Sequence, residues 1–432
     1  MKFIPLADWI YNWHVFLAKI PLDRTDLQDP AESAWISRQS EVSGIEDYKY
    51  DHVEALRHII SWLYDHPLEE DFLGRHGPGS TNIGAKTVLD KELAYSPTIQ
   101  SLSVEPYENP IRPTVIGTRP ENSVLRNVPK DIKSLRPITM ESVAMQRAQQ
   151  RLKSQLYYHV DSKHVYAGQF VRFGSQLGSR ALALKGSSTS VSRDRRPATI
   201  DLSSASDYLS SDLITHIFTG DLLHALMASR TWSVDTDRYS DVEVKMFAGM
   251  GSATTFPVQT FVFIGIALLA VYRSLYKRDF GGITTSVESV IEYQRDVIPA
   301  SARAKSKDHV WSFLRYVKVY GDDIIIPDFA TDELFMLLEH FGLRVNFGKS
   351  FFGRSAVREA CGIFSLAGRD ITPVRFRVPS LHKYADFAYL ESLRMLTNLS
   401  FLKGYRVLYR LLRRRLTNTK PFLKRQRGER SG

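Results

Sequence analysis

This sequence predicts an α+β fold, a small antiparallel sheet backed by helices, on three observations. The stretch "VKVYGDDIIIPDF", Val317 to Phe329, sets strand-forming runs on both sides of Gly321-Asp322-Asp323, the pattern of two buried strands joined by a tight hairpin turn. The middle of the chain runs strand, helix, helix, strand–turn–strand, helix, strand, an order that lays helices on a sheet. Val258 to Tyr276 is apolar almost throughout, as a helix buried on all sides is.

Up to about residue 125 the chain mixes helical and irregular stretches. "RHGPGSTN", Arg75 to Asn82, is a Gly/Pro loop, and "YENPIRPTVIGTRPEN" is a Pro-rich connector. Glu141 to Val160 has helical composition, with Arg147 and Arg151 four apart on one face. The polar, basic loop Gly186 to Pro197 leads into "ATIDL", a short strand, and after Asp207 "YLSSDLITHIFTGDLLHAL" reads as one helix. Pro257 stands where the long apolar helix begins. In "TDELFMLLEHFG", Thr331 suits a cap, Asp332 and Glu333 the first turn, and Gly342 the end. Its buried stripe is Leu334, Leu337, Leu338 and Phe341. "LRVNF" then reads as a strand, and Tyr405, Leu408, Leu412 and Leu416 form the seam of a last helix with a basic back. There is no internal repeat.

With 432 residues the chain can bury several sizeable cores. One cysteine, Cys361, excludes an intramolecular disulfide framework and a multi-cysteine zinc cluster, and fits a reducing compartment. The N-terminus lacks the basic-then-apolar pattern of a signal peptide. The longest apolar run, Phe261 to Tyr272, is short of the ~20 residues of a membrane span, so no span is expected. The net charge of +10 sits wholly in the tail: from Lys403 onward there are eleven Lys or Arg and one acid, leaving 46 of each sign upstream. That tail is either an RNA or partner contact or a solvated helix face with a frayed end. An upstream binding groove would need segregated charge.

Asp322 and Asp323 repel each other, so they need a cation or solvent to stay ionised. Asp201, at the end of the "ATIDL" strand, can lie beside their turn in an antiparallel layer. Three such carboxylates make an oxygen-rich site for Mg²⁺ or Mn²⁺, and two ions there suit phosphoryl transfer. A solvated Asp-rich turn is the plainer reading. Asp207 is either an acceptor for a ribose 2′-hydroxyl or an acid at a helix N-terminus. The loop "GMGSATTFPVQT" offers Ser252, Thr255 and Thr260 toward a sugar, or is small for packing. Arg126, Lys130, Lys133 and Arg136, in "RNVPKDIKSLRPI", line a phosphate path or a solvated strand. Lys349, in "NFGKSFF", is a proton donor to pyrophosphate or an exposed lysine.

Taken in order, the basic strand, "DLSSASD", "GMGSATTFPVQT", "VYGDD" and "NFGKS" resemble the RNA-dependent RNA polymerases of positive-strand RNA viruses. The likeness is greatest to the replicases of single-stranded RNA bacteriophages, the levivirus group. Ala198–Asp207 matches that group's "ATIDLSSASD"-like strand, Tyr320–Ile325 its "YGDDII" hairpin, and Arg358–Pro373 a "RESCG…G.D.TP" segment. "RHGPGST" is similar to its "GPGAT" element, so the likeness runs from about residue 75 to about 380. Two departures stand out: Ser252 replaces an Asn of the "MGNGxTFELES" pattern, and the chain is short beside the best-known phage replicases. Narnavirus-type polymerases are the nearest rival family.

The resemblance implies a right hand of fingers, palm and thumb: residues 1–125 as N-terminal region and part of the fingers, 126–197 as fingers, 198–380 as palm with a fingers insertion around 215–248, and 381–432 as thumb-like helices and basic tail. It implies Asp201, Asp322 and Asp323 as ligands of two Mg²⁺ ions, with Lys349 as a catalytic proton donor. Asp207 with Ser252, Thr255 or Thr260 would select ribonucleotides, and Lys130, Lys133 and Arg136 would meet the triphosphate. "REACG" would form the hairpin that supports the growing 3′ end. RNA template and product, NTPs, host elongation factors Tu and Ts and ribosomal protein S1 would be partners in a bacterial cytoplasm. A reverse transcriptase shares the palm plan but usually differs at Gly321 and carries a bulkier gate at Asp207. An RNA-binding scaffold with a vestigial site is the reading from another class, against which the intact three acids argue.

Overall fold

The computed structural model describes residues 25–94, 122–280, 305–374 and 387–419, apart from breaks at 65, 69–74, 78, 132, 164–166, 189 and 193–194. The Pro-rich connector before residue 122 and the last residues of the basic tail lie outside them. Its mixture of helices and sheets is the expected α+β class. The chain divides into two compact units: Met1–Ala31, Asn127–Arg136 and Ile371–Gly432 form one, Glu32–Arg126 and Pro137–Asp370 the other.

In chain order the strands are β1 (Ser123–Asp131), β2 (Ser134–Met140), β3 (Pro197–Ile200), β4 (Ser233–Asp235) and β5 (Val242–Glu243). They continue with β6 (Lys318–Tyr320), β7 (Asp323–Pro327), β8 (Val357–Ala360), β9 (Ile363–Leu366) and β10 (Arg369–Asp370). One sheet has the order β3-β7-β6 and is antiparallel throughout. A second, β10-β9-β8, is antiparallel too. In a third, β1 pairs parallel with β4 through Ser123↔Val234 and Val124↔Asp235, which the sequence did not suggest.

Both faces of β7 are covered, which is why it reads as a run of isoleucines rather than an alternation. Ile324 and Ile326 face the main core with Val319 and the long helix Thr255–Phe280. Ile325 faces Ala183, on the helix Leu177–Ser187, and Ala360 and Ile363 of the β8–β9 hairpin. All three isoleucines are fully buried, and each contributes roughly 2–3 kcal/mol by leaving water. The Thr255–Phe280 helix is long and apolar enough to cross a membrane, longer than the apolar run alone implied, yet 94% of its apolar window is buried inside the protein. Here that length serves the core.

Leu334, Leu337, Leu338 and Phe341 form the expected buried stripe of the helix Thr331–His340. Gly342 closes it at φ +69°: its N–H donates to Glu339 O and that of Leu343 to Leu338 O, the paired bonds of a Schellman end. Thr331 is not the cap. A 3-10 turn, Asp328–Ala330, precedes it, and the Thr331 hydroxyl donates back to Asp328 O.

Two other expectations are corrected. The stretch after Asp207 forms two helices, Ser211–Ile217 and Gly220–Ala228, because Phe218 and Thr219 are extended and Gly220 turns at φ +60°. "LRVNF" is not a regular strand but meets the chain after β3 in a single Leu202↔Val345 bridge. The chain turns away directly after it, through Ser203 to Tyr208, so no ladder can extend.

In the first unit the helices Phe387–Leu402 and Arg406–Thr419 pack Tyr389, Leu390 and Leu393 against Leu412 and Leu416, two of the four seam residues read from the sequence.

Candidate active site

The register of the β3-β7-β6 sheet builds the site. Pairing runs Pro197↔Pro327 through Ile200↔Ile324, so Asp201, just past Ile200, and Asp323, just before Ile324, emerge at the same end of the ladder. Tyr320 pairs with Asp323, so the expected hairpin is present, but its loop is only Gly321-Asp322 and Asp323 already belongs to β7. Gly321 has φ +66°, and a Cβ there would lie 2.6 Å from the Phe256 ring. Only glycine fits that turn.

A second two-residue loop, Cys361-Gly362, joins β8 to β9 with both residues at positive φ, the geometry of a type I′ hairpin. Its Cys361 N–H donates to Asp323 Oδ2 at 2.8 Å. The buried Arg358 donates to Pro197 O at 2.6 Å and so ties β8 to β3. From the turn after "LRV", Asn346 gives its backbone N–H to Asp201 O and its Nδ2 to Asp201 Oδ2, each at 2.8 Å.

These elements enclose a cavity of about 180 Å³ lined by Asp201, Asp322, Asp323, Lys349, Glu359, Cys361 and Gly362. That is room enough for ordered waters or metal ions beside the carboxylates. Burial pushes Asp323 up to about 7, with Asp322 and Asp201 adding to the rise and the Cys361 N–H opposing it. Burial likewise pushes Asp201 up to about 6, against Lys349 and Asn346. The cavity therefore holds more negative charge than Lys349 offsets. Burial and the neighbouring Asp323 push the Cys361 thiol up to about 12, so it stays protonated and the available donors are carboxylate oxygens, which suit hard cations.

Among the described residues no three His, Cys, Asp or Glu side chains are already gathered as a metal cluster. Asp201 and Asp323 each turn one oxygen to a protein donor, Asn346 or Cys361. Holding an ion would use their remaining oxygens with Asp322, which is exposed on the turn.

The other residues singled out in the sequence lie elsewhere. Asp207 is buried and ion-paired, its Oδ2 accepting from Arg38 Nε at 2.8 Å; burial raises its pKa and Arg38 opposes the rise. Next to it, Tyr208 and Arg344 both donate to Glu41, on the same helix as Arg38. Ser252 shares a hydrogen bond with Thr254, and Thr255 donates to Gly249 O. Thr260 is fully buried; it donates to Phe256 O and accepts from Gly321 N–H. Lys130, Lys133 and Arg136 are exposed and belong to the first unit.

Sequence reasoning passed over Asn346 and Arg38, and took Glu359 and Cys361 only as part of the "REACG" hairpin, not as lining the site. A signal existed for Cys361, since Cys-Gly sits between two strand-like runs, and for Asn346, in an Asn-x-Gly turn. Nothing local marks Arg38.

A family model described as "RNA replicase, beta-chain" matches residues 175–285 and 302–399, the interval that holds the three acids, Lys349 and both hairpins. Over those residues, just under half of the chain, it is similar to the RNA replicase beta-chain family. Among curated proteins, it is 29% identical over 187 residues to the RNA-directed RNA polymerase subunit beta of Qbeta virus (strain MX1), covering 42% of this chain and 25% of that protein. It is 26% identical over 197 residues to the RNA-directed RNA polymerase beta chain of Escherichia phage MS2, covering 46% of this chain and 29% of the relative. The beta chain of Enterobacteria phage fr matches at 26% over 208 residues, 47% of this chain and 30% of the relative. The chain thus spans about a quarter to a third of the length of these replicase proteins. Arg38, Lys130, Lys133 and Arg136 lie outside the part that the replicase family model covers.

Proposed function

We propose that this chain carries the polymerising centre of an RNA-dependent RNA polymerase with a right-hand palm. In the reaction the 3′-oxygen of the growing strand bonds to the α-phosphorus of a templated NTP. The bond to the β-phosphate bridging oxygen breaks, and pyrophosphate leaves. The observation that carries this reading is the meeting of Asp201, Asp322 and Asp323 in one cavity with Lys349. The printed names of the phage relatives, RNA-directed RNA polymerase subunits, support it.

Asp201, Asp322 and Asp323 would hold two Mg²⁺ ions, for which Mn²⁺ can substitute; the surplus negative charge and oxygen-only donors of the cavity fit such ions. When bound, these ions supply Lewis-acid activation of the 3′-hydroxyl and neutralise the leaving pyrophosphate. Lys349 donates a proton to pyrophosphate as it departs. Asp207, held by Arg38, with Ser252 and Thr255 contributes to choosing the ribose, and Lys130, Lys133 and Arg136 attract the triphosphate. The β8–β9 hairpin, whose Cys361 N–H bonds Asp323, would support the 3′ end. Host elongation factors Tu and Ts and ribosomal protein S1 would assemble with it in a bacterial cytoplasm.

The test is direct. Purified protein given an RNA template, the four NTPs and Mg²⁺ should make complementary RNA, and Asp322→Ala should abolish it. Undiminished synthesis by Asp322→Ala would overturn the assignment, and preferred use of deoxyribonucleotides would favour a reverse transcriptase.

A further inference from the structure

We propose that Thr260 is a positioning residue that locks the Gly321-Asp322 turn, not a group that touches the nucleotide sugar. The inference rests on the polymerase reading of the site. Thr260 stands in the second turn of the Thr255–Phe280 helix with no exposed surface. Its Oγ1 accepts the Gly321 N–H at 3.0 Å and donates to Phe256 O at 2.7 Å. The bond from Gly321 is buried, and the one to Phe256 O is partly buried.

The rest of that helix end presses on the same turn. Phe256 occupies the space a Gly321 side chain would need, and Gln259 Nε2 lies 3.2 Å from the same point. The Phe256 ring also meets the Tyr320 ring edge-on, with centroids 4.9 Å apart. A two-residue loop has few internal bonds to hold it, so an external acceptor for its first N–H sets where the next two residues, Asp322 and Asp323, point. The Thr260 hydroxyl is that acceptor. It lies on a helix whose apolar window is 94% buried, an anchor unable to drift with the turn.

Loss of the hydroxyl leaves a buried N–H without a partner and frees the turn. Thr260→Val keeps the shape of the side chain, and Thr260→Ser keeps the hydroxyl. Thr260→Val should lower kcat by about tenfold, the equivalent of one lost buried hydrogen bond. KM for NTPs should stay within about twofold, and the ribo-to-deoxyribonucleotide preference should be unchanged. Hydrogen exchange at the Gly321 amide should quicken by about tenfold in Thr260→Val and stay near wild type in Thr260→Ser. If Thr260→Val does not fold, Thr260→Ala compared with Thr260→Ser gives the same contrast.

A raised KM with altered sugar preference at preserved kcat would overturn the proposal, as would unchanged Gly321 exchange. Exchange is read without any RNA synthesis. A wild-type protein that makes no RNA but shows the exchange contrast would therefore sink the polymerase reading and leave the lock standing.

Discussion

Asp201 directly follows Ile200 and Asp323 directly precedes Ile324, the last pair of the β3–β7 ladder, and the two acids line one cavity. Two carboxylates are thereby held side by side where β3 ends and β7 begins, with the Gly321-Asp322 turn adjoining them. Burial raises both pKa values, to about 6 and about 7, and repulsion from the Asp322 carboxylate on the adjoining turn adds to each. The backbone register imposes that repulsion, and an ion or a proton relieves it.

Uptake of Mg²⁺ or Mn²⁺ should therefore release protons. At pH 6 Asp323 is mostly protonated and Asp201 about half so, and a cation must displace those protons; at pH 8 both are ionised. Affinity should rise from pH 6 to pH 8 by about tenfold or more. Calorimetry in two buffers of different ionisation enthalpy measures the protons directly, and an affinity that ignores pH would refute the coupling.

The same shifts bear on stability. Both folded-state pKa values lie above the unfolded value, so their contribution is fully present below about pH 4 and is lost as pH rises through 6 to 7. At pH 8 in EDTA the ionised pair strains the fold. Asp323→Asn keeps an acceptor for the Cys361 N–H and removes one charge. It should raise Tm by a few degrees at pH 8 and by nothing at pH 4. An equal change at both pH values would contradict this origin.

Gly321→Ala should be far more harmful than Gly362→Ala. Both positions have positive φ, but a Cβ at Gly321 meets Phe256 whereas one at Gly362 meets nothing within 4 Å. Backbone strain alone costs about 1 kcal/mol at Gly362; the added overlap should bring Gly321→Ala to about 3 kcal/mol. Urea unfolding of the two variants gives the comparison, and equal losses would show that the ring moves freely aside.

The Arg38–Asp207 pair gives a fourth test. Arg38→Ala strands a buried carboxylate and should cost about 3 kcal/mol. Adding Asp207→Asn should recover part of that loss, because the stranded charge is then gone. Additive losses in the double variant would mean that the pair is not coupled.

How far the sequence could be read follows from range. The Ile324–Ile326 run, the existence of a hairpin at Gly321-Asp322-Asp323 and the stripe Leu334, Leu337, Leu338 and Phe341 were legible, because strand and helix periods and turn chemistry act between near neighbours. The break at Gly220 was missed because a helix-like composition masks two extended residues before it. "LRVNF" has strand composition but found no continuing partner, which no local rule reveals.

By itself, then, the sequence determined the α+β class, the hairpin that carries Asp322 and Asp323, and the acids that belong together. Tertiary structure alone decided that Asp201 and Asp323 line one cavity, that Arg38 claims Asp207, and that Thr260 faces the Gly321 amide instead of the cavity. Those outcomes depend on strand register and on which side of a packed helix a side chain falls. A one-residue slip would reverse them, and only the completed core selects between the alternatives.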